Sequence, residues 1–239
     1  MKHMKKILIS AITLVLASMT MTAQVTRHEV KVGNFTRLVV TDNVNVNYRC
    51  NADSAGIAVI NGTQDEIKYF IFSLNDKGRL SIQVEDEFER REHVPSVTIY
   101  SSSLDEAENA GDSTLRIAGL PAMKEFKVRN IDNGKVIARG LRASKLELQI
   151  LSGKGKIIAD GSCDDLAIKL IGTGEIQADN VKATTVTCRI MGTGNIGCNV
   201  YGGGELKVSG SGTGKVYYKG KPSNVKVRKL GTIKAIPID

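Results

Sequence analysis

Apolar and polar residues alternate at period two along most of the chain, and Asn, Asp and Gly break the alternation every few residues. Val30 and Val32, then Phe35, Leu38 and Val40, lead to the turn Thr41-Asp42-Asn43. Val44, Val46 and Tyr48 follow, then Ile57 and Val59 before Asn61-Gly62. Tyr69 and Ile71 precede the turn Asp76-Lys77-Gly78, and Leu80, Ile82 and Val84 follow it; Val97 and Ile99 resume after Pro95. Side chains return to the same face of a strand every second residue, so the pattern predicts short strands, antiparallel or edge-exposed, over residues 24–112. No stretch holds a helical period long enough for an amphipathic helix, although residues 104–110 have room for one short turn. Residues 85–93, Glu-Asp-Glu-Phe-Glu-Arg-Arg-Glu-His, mix both signs of charge. They read as a solvated loop rather than a cation or partner site, because neighbouring opposite charges cancel.

Over residues 113–239 the pattern becomes a repeat. Gly153-Lys154-Gly155, Gly172-Thr173-Gly174, Gly192-Thr193-Gly194 and Gly212-Thr213-Gly214 recur at intervals of 19, 20 and 20. Each is followed by an apolar β-former: Ile157, Ile176, Ile196 and Val216. Leu166, Ile168 and Leu170 lead into the second turn, and Val186, Cys188 and Ile190 into the third at the same offsets. Degraded copies stand at Gly134-Lys135-Val136, at Thr114 to Ile117, and at Leu230-Gly231-Thr232-Ile233. A fixed period near 20 predicts a solenoid, in which one coil buries its inward side chains only when the next coil stacks on it. The glycines are expected where the chain reverses, at positive φ. Stacking would place Thr173, Thr193 and Thr213 in one column, and Lys156, Glu175, Asn195 and Lys215 in another. Pro222 and Pro237, with Lys226, Arg228, Lys229 and Lys234 between them, read as a segment that caps the open edge rather than as a binding tail.

Composition narrows the function. Lys2, Lys5 and Lys6, the apolar run Ile7 to Ala17 and Met21-Thr22-Ala23 before Gln24 make residues 1–23 a secretory signal peptide. Eleven apolar residues are too few to cross a bilayer as a helix, so no integral membrane segment is expected after cleavage. Without the signal the formal charge falls from +8 to +5, and the excess reads as spread along the chain. Trp is absent and no basic cluster is interleaved with aromatics, so a nucleic-acid platform is not expected. The cysteines are Cys50, Cys163, Cys188 and Cys198, and beyond the signal there are two histidines, His28 and His93. With no Cys-x-x-Cys pair, a zinc site is not expected. Cys188 and Cys198 fall at inward offsets on either side of Thr193. Two buried free thiols are the favoured reading and a disulfide across the coil the open alternative.

The strand, Gly-Ser/Thr-Gly turn and apolar strand, repeated after an N-terminal β section, resemble a known bacterial family, the putative auto-transporter adhesins with a head GIN domain. Val32-Gly33-Asn34-Phe35 leading to Leu38-Val39-Val40, then Val44-Asn45-Val46, carry the resemblance at the N-terminal end. Val97 to Leu104, running into Gly111-Asp112-Ser113, carry it further. The resemblance implies an all-β fold, a right-handed parallel β-helix or β-solenoid behind an N-terminal strand section. It also implies an envelope or extracellular location and an adhesin role. It brings no catalytic, cofactor-binding or metal-binding residues. Gly153-Lys154-Gly155 departs from it by its lysine, and the last turn by its length.

A catalytic role is the competing expectation. Asp160 and Asp179 occupy equivalent places in successive coils, with Asn199 third, and such a column could hold a cation or a sugar hydroxyl. A polar column at the coil end is the simpler reading. There is no Gly-x-Ser-x-Gly elbow, no Gly-Lys-Ser/Thr phosphate loop and no Gly-Gly-x-Gly-x-Asp calcium repeat. The expectation is therefore an exported, non-catalytic, adhesin-like module for an unknown protein or glycan partner, in the periplasm, on the outer membrane or outside the cell. A carbohydrate-binding or carbohydrate-active β-helix protein and a periplasmic envelope-stress scaffold are the alternatives. Oligomeric state and handedness stay open.

Overall fold

The computed structural model describes residues 25–91 and 93–238. The signal peptide expected at 1–23 lies outside the described residues. The N-terminal elements are β1 (Thr26–Lys31), β2 (Arg37–Val40), β3 (Val46–Cys50), β4 (Ile57–Gly62), α1 (Gln64–Ile67), β5 (Phe70–Leu74), β6 (Arg79–Val84), α2 (Asp86–Glu89), β7 (Val97–Ser101), β8 (Glu106–Asn109) and β9 (Thr114–Ala118). Then come β10 (Met123–Asn130), β11 (Lys135–Ile150), β12 (Lys156–Gly172), β13 (Glu175–Gly192), β14 (Asn195–Gly212), β15 (Lys215–Lys219), β16 (Asn224–Gly231) and β17 (Lys234–Pro237). They form one continuous sheet wound into a parallel β-solenoid of about 7 turns, in chain order from β10 onward.

Each long strand, β11 to β14, makes most of one turn. β12 pairs along residues 156–158 on one face, bends through the short side at 160–163, and returns along 165–172 on a second face. We call the face entered by residues 165–172 and their partners face A, and the other face B. A Gly-x-Gly turn joins face A to face B of the next coil. The predicted columns are in register: Lys156 opposite Glu175, Glu175 opposite Asn195, Asn195 opposite Lys215. The predicted inward set, Leu166, Ile168, Leu170, Val186, Cys188, Ile190 and Ile196, is buried in one core running the length of the solenoid.

The two glycines of each turn are required for different reasons. Gly172, Gly192 and Gly212 lie at φ +111, +140 and +113, where a β-carbon is penalised. Gly174, Gly194 and Gly214 do not have positive φ, but a β-carbon there would lie 2.5, 2.3 and 2.6 Å from the carbonyl oxygen of the glycine one coil below. Only a hydrogen fits between stacked turns. The expectation of positive φ thus holds for the first glycine of each pair and is replaced by a space requirement for the second.

The N-terminal section is wound into the same stack out of order. β2 pairs in parallel with β6 on one side and β8 on the other, and β3 likewise with β7 and β9. Among the described residues only β1–β4, β4–β7 and β5–β6 are antiparallel. The antiparallel reading is therefore corrected for β2, β3, β8 and β9, while β7 is parallel to β3 and antiparallel to β4: Leu38, Val40, Val46 and Tyr48 are fully buried between coils, and stacking gives each strand partners on both edges. Residues 104–110 are not a helical turn, because Glu106–Asn109 is strand β8, with Ala107 and Asn109 inward.

Two four-residue helices at this end escaped the sequence reading. At α1 the Glu66 carboxylate accepts from the Thr63 backbone N–H (2.7 Å) and hydroxyl (3.0 Å), a capping box. α2 corrects the reading of 85–93 as a solvated loop. Phe88 is fully buried, stacks on Tyr69 at 4.6 Å and meets Phe70 edge-on at 6.0 Å. The Arg91 guanidinium lies 4.9 Å from the Phe88 ring. The segment plugs the N-terminal end of the core with an aromatic ring.

At the other end the segment read as a cap takes the form of one more coil. β16 pairs with face A of β14, and β17 with β15. Its inward column carries Val225, Val227 and then Lys229, whose ammonium reaches across to donate to the Ile233 carbonyl at 2.9 Å. An inward charge, outward lysines and Pro237 are ways of discouraging a further strand from pairing at a sheet edge.

Candidate functional surface

The outward residues of face A near the N-terminal end form columns of alternating charge. Register places Glu106 between Arg37 and Lys127, and Lys127 next to Glu147. In the neighbouring column Glu108 lies beside Arg129, and Arg129 beside Gln149. The Arg129 guanidinium donates to Glu106 and lies 3.4 Å from Glu108, while Arg79 lies 3.7 Å from Glu108. Lys145 bridges Glu125 at 2.8 Å and Glu147 at 2.6 Å, and Lys127 lies 3.3 Å from Glu147. The hydrogen bond from Lys145 holds the Glu147 carboxyl below its ordinary range, with Lys127 adding to it against partial burial.

Two depressions open on this face. One of about 520 Å³ is lined by Arg37, Asp105, Glu106, Met123, Lys124 and Lys127. The other, of about 410 Å³, has Leu38 and Val39 in its lining with Arg37, Arg79, Glu106, Glu108 and Arg129 around them. They share Arg37 and Glu106 and so lie side by side; we call the two together the groove. Arg37 and Lys124 are exposed, and the Arg129 Nε is buried without a hydrogen-bond partner. Chemically the groove offers guanidinium forks and ammonium groups to carboxylate or hydroxyl oxygens, and ionised carboxylates to hydroxyls and amines. Glu106 and Glu108 are already engaged by Arg129, and Glu108 by Arg79 as well.

The column singled out for catalysis does not converge. β12 and β13 shift register between Ile158 and Asp160, so Asp160 stands opposite Asn180 rather than Asp179. Burial alone would raise the Asp160 carboxyl, but the Gly140 N–H and the Arg139 guanidinium, each at 2.6 Å, hold it below the ordinary range. Asp179 is paired with Lys219 at 2.9 Å, and Asn199 reaches only its backbone carbonyl. Among the described residues no three His, Cys, Asp or Glu side chains gather as a metal site would require. All four cysteines are free, and Cys163, Cys188 and Cys198 are buried. Burial pushes the Cys163 thiol up to about 12, and contact with Cys198 together with burial raises Cys188.

Sequence reasoning missed the groove residues Arg37, Arg79, Glu106, Glu108, Lys127 and Arg129. A signal was available: Glu106, Lys127 and Glu147 are spaced by 21 and 20 residues, the period of the repeat.

The comparisons agree with this architecture. The family model described as "Putative auto-transporter adhesin, head GIN domain" matches residues 34–222. Among solved structures, a putative adhesin from Bacteroides fragilis is similar at a TM-score of 0.79 and 22% identity, over 90% of this chain and 97% of that one. A putative adhesin from Parabacteroides distasonis gives 0.70 and 18%, over 90% and 98%. A putative lipid binding protein, also from Parabacteroides distasonis, gives 0.65 and 17%, over 91% and 98%. No curated protein matches the chain.

Proposed function

Because the chain belongs to the family of putative auto-transporter adhesins with a head GIN domain, we propose that it is an exported, non-catalytic, adhesin-like module whose solenoid presents face A to a protein or glycan partner. The observation that carries this reading is the groove around Arg37, Glu106 and Arg129: a surface built from side chains of stacked strands, each with its backbone hydrogen-bonded on both edges. Such a surface binds without reorganising, which favours affinity. Its free donors at Arg37 and Lys124 suit carboxylates or sugar hydroxyls. The enzymatic alternative loses its motivation, since Asp160 and Asp179 are separately engaged by Arg139 and Lys219. One relative of like fold is a putative lipid binding protein. For this chain a lipid reading attaches to a different place, the C-terminal end.

Export and exposure are tested by fractionation and by protease treatment of intact cells. The protein should be recovered outside the cytoplasm with an N-terminus near Gln24. Recovery in the cytoplasm with Met1 intact would end the proposal.

A further inference from the structure

The net positive charge is not spread along the chain. Residues 206–238 hold eight Lys and Arg and no Asp or Glu, whereas residues 24–205 hold 22 basic and 24 acidic side chains. The solenoid stacks coils in chain order here, so this charge gathers at one end. Lys207 is paired with Glu205 at 3.0 Å and Lys219 with Asp179 at 2.9 Å. Lys215, Lys221, Lys226, Arg228, Lys229 and Lys234 make no ion pair among the described residues.

The same end is where large apolar side chains are exposed. Leu230 is 77% exposed, Val227 39%, Val225 38% and Ile238 37%. Register explains their placement. Val225 and Val227 continue the buried column of Leu206 and Val208 but have no coil beyond them. Lys226 and Arg228 point outward from face A, and Lys234 from face B, being opposite Lys207, Ser209 and Lys215. The end of the solenoid thus pairs an open apolar centre, Val225 and Val227 with Lys229 last in their column, with an outward row of Lys226, Arg228 and Leu230 on face A and Lys234 on face B. The N-terminal end is closed by Phe88 and flanked by acidic α2.

We propose that this C-terminal end docks on an anionic lipid surface. The unpaired cations face the headgroup phosphates, and Leu230, Val225 and Val227 enter the interface between them. Apolar tips within basic residues are the arrangement by which a protein lies on a membrane without spanning it. The two features answer to one partner: the cations require an anion, and the apolar centre requires a phase that accepts it. The docking does not depend on what face A binds.

The test is co-sedimentation of the purified protein with vesicles of phosphatidylglycerol mixed with phosphatidylcholine, against pure phosphatidylcholine. Binding should occur only to the mixed vesicles and weaken as salt rises. Lys226→Ala with Arg228→Ala should lower partitioning roughly thirtyfold, at about 1 kcal/mol per cation and a tenfold change per 1.4 kcal/mol. Leu230→Ser should lower it roughly tenfold. Lys68→Ala with Lys77→Ala, at the opposite end, should leave it unchanged. Should the first double variant fail to fold by circular dichroism, Lys221→Ala with Lys234→Ala gives the same reading. Three results overturn the proposal: no binding to the mixed vesicles at low salt, equal binding to pure phosphatidylcholine, or polyglutamate binding as tightly with no effect of Leu230→Ser. The last would transfer the end to an acidic polypeptide.

Discussion

Replacing Gly192 by alanine separates the solenoid account from ordinary turn chemistry. Gly192 lies at φ +140, and a β-carbon there would come 2.2 Å from the Gly172 carbonyl oxygen and 3.0 Å from its carbon. The backbone term costs about 1–3 kcal/mol. The steric term adds to it, because relief requires two coils to part. Parting them weakens the bonds from the Thr193 N–H (3.1 Å) and the Gly194 N–H (3.3 Å) to that same carbonyl, each worth about 1 kcal/mol. The total is roughly 3–5 kcal/mol, a large share of an ordinary folding free energy. Gly202 is the control. Its φ is +67 and nothing lies within 4 Å of its virtual β-carbon, so Gly202→Ala should cost only about 1 kcal/mol. Urea unfolding followed by circular dichroism measures both, with the slope checked for constancy. In a thermal scan Gly192→Ala should melt about 10 °C lower, at 2–4 °C per kcal/mol for a chain of this size. Equal losses in the two variants would refute the reasoning, since the steric and hydrogen-bond terms that stacking adds at Gly192 are absent at Gly202.

Other predictions follow the same logic. Phe88→Ala should cost roughly 3–5 kcal/mol in urea unfolding, because it empties the plug at the N-terminal end. The carboxyls of Glu147, Glu175 and Asp160 are held below their ordinary 4.5, 4.5 and 3.8. The stability they contribute is present above those ordinary values and lost as pH falls through the depressed ones, so acid titration should show the melting temperature dropping below about pH 4. Unreduced protein in denaturant should titrate with a disulfide reagent as four thiols, and folded protein with Cys50 alone, the one cysteine that is not buried.

How much was legible depended on whether the signal was local. The Gly-x-Gly period and the alternation before each turn were enough for the coils, for the inward set from Leu166 to Ile196 and for the Lys156–Glu175 column. Nothing local tells Leu38 to pair with Leu80 and with the strand of Ala107, because parallel neighbours separated by a long excursion share only generic alternation. Four-residue helices are too short to show a period, and Phe88 looked solvated because charges surround it in sequence. The Asp160–Asp179 column failed because corners differ in length between coils and a bulge there moves every side chain beyond it. The groove and the basic end were present in the spacing and in the charge count. They became readable once each residue had a coil.

The central claim is that face A of a rigid solenoid, and not a reacting group, is the working part. Binding of labelled protein to a glycan and protein array, wild type against Arg37→Glu with Lys124→Glu, tests it most directly. Both residues are exposed, so the fold should persist. The account predicts a set of array features bound by the wild type, lost in the variant and left chemically intact. Binding unchanged in the variant, or cleavage of a bound feature, would contradict it.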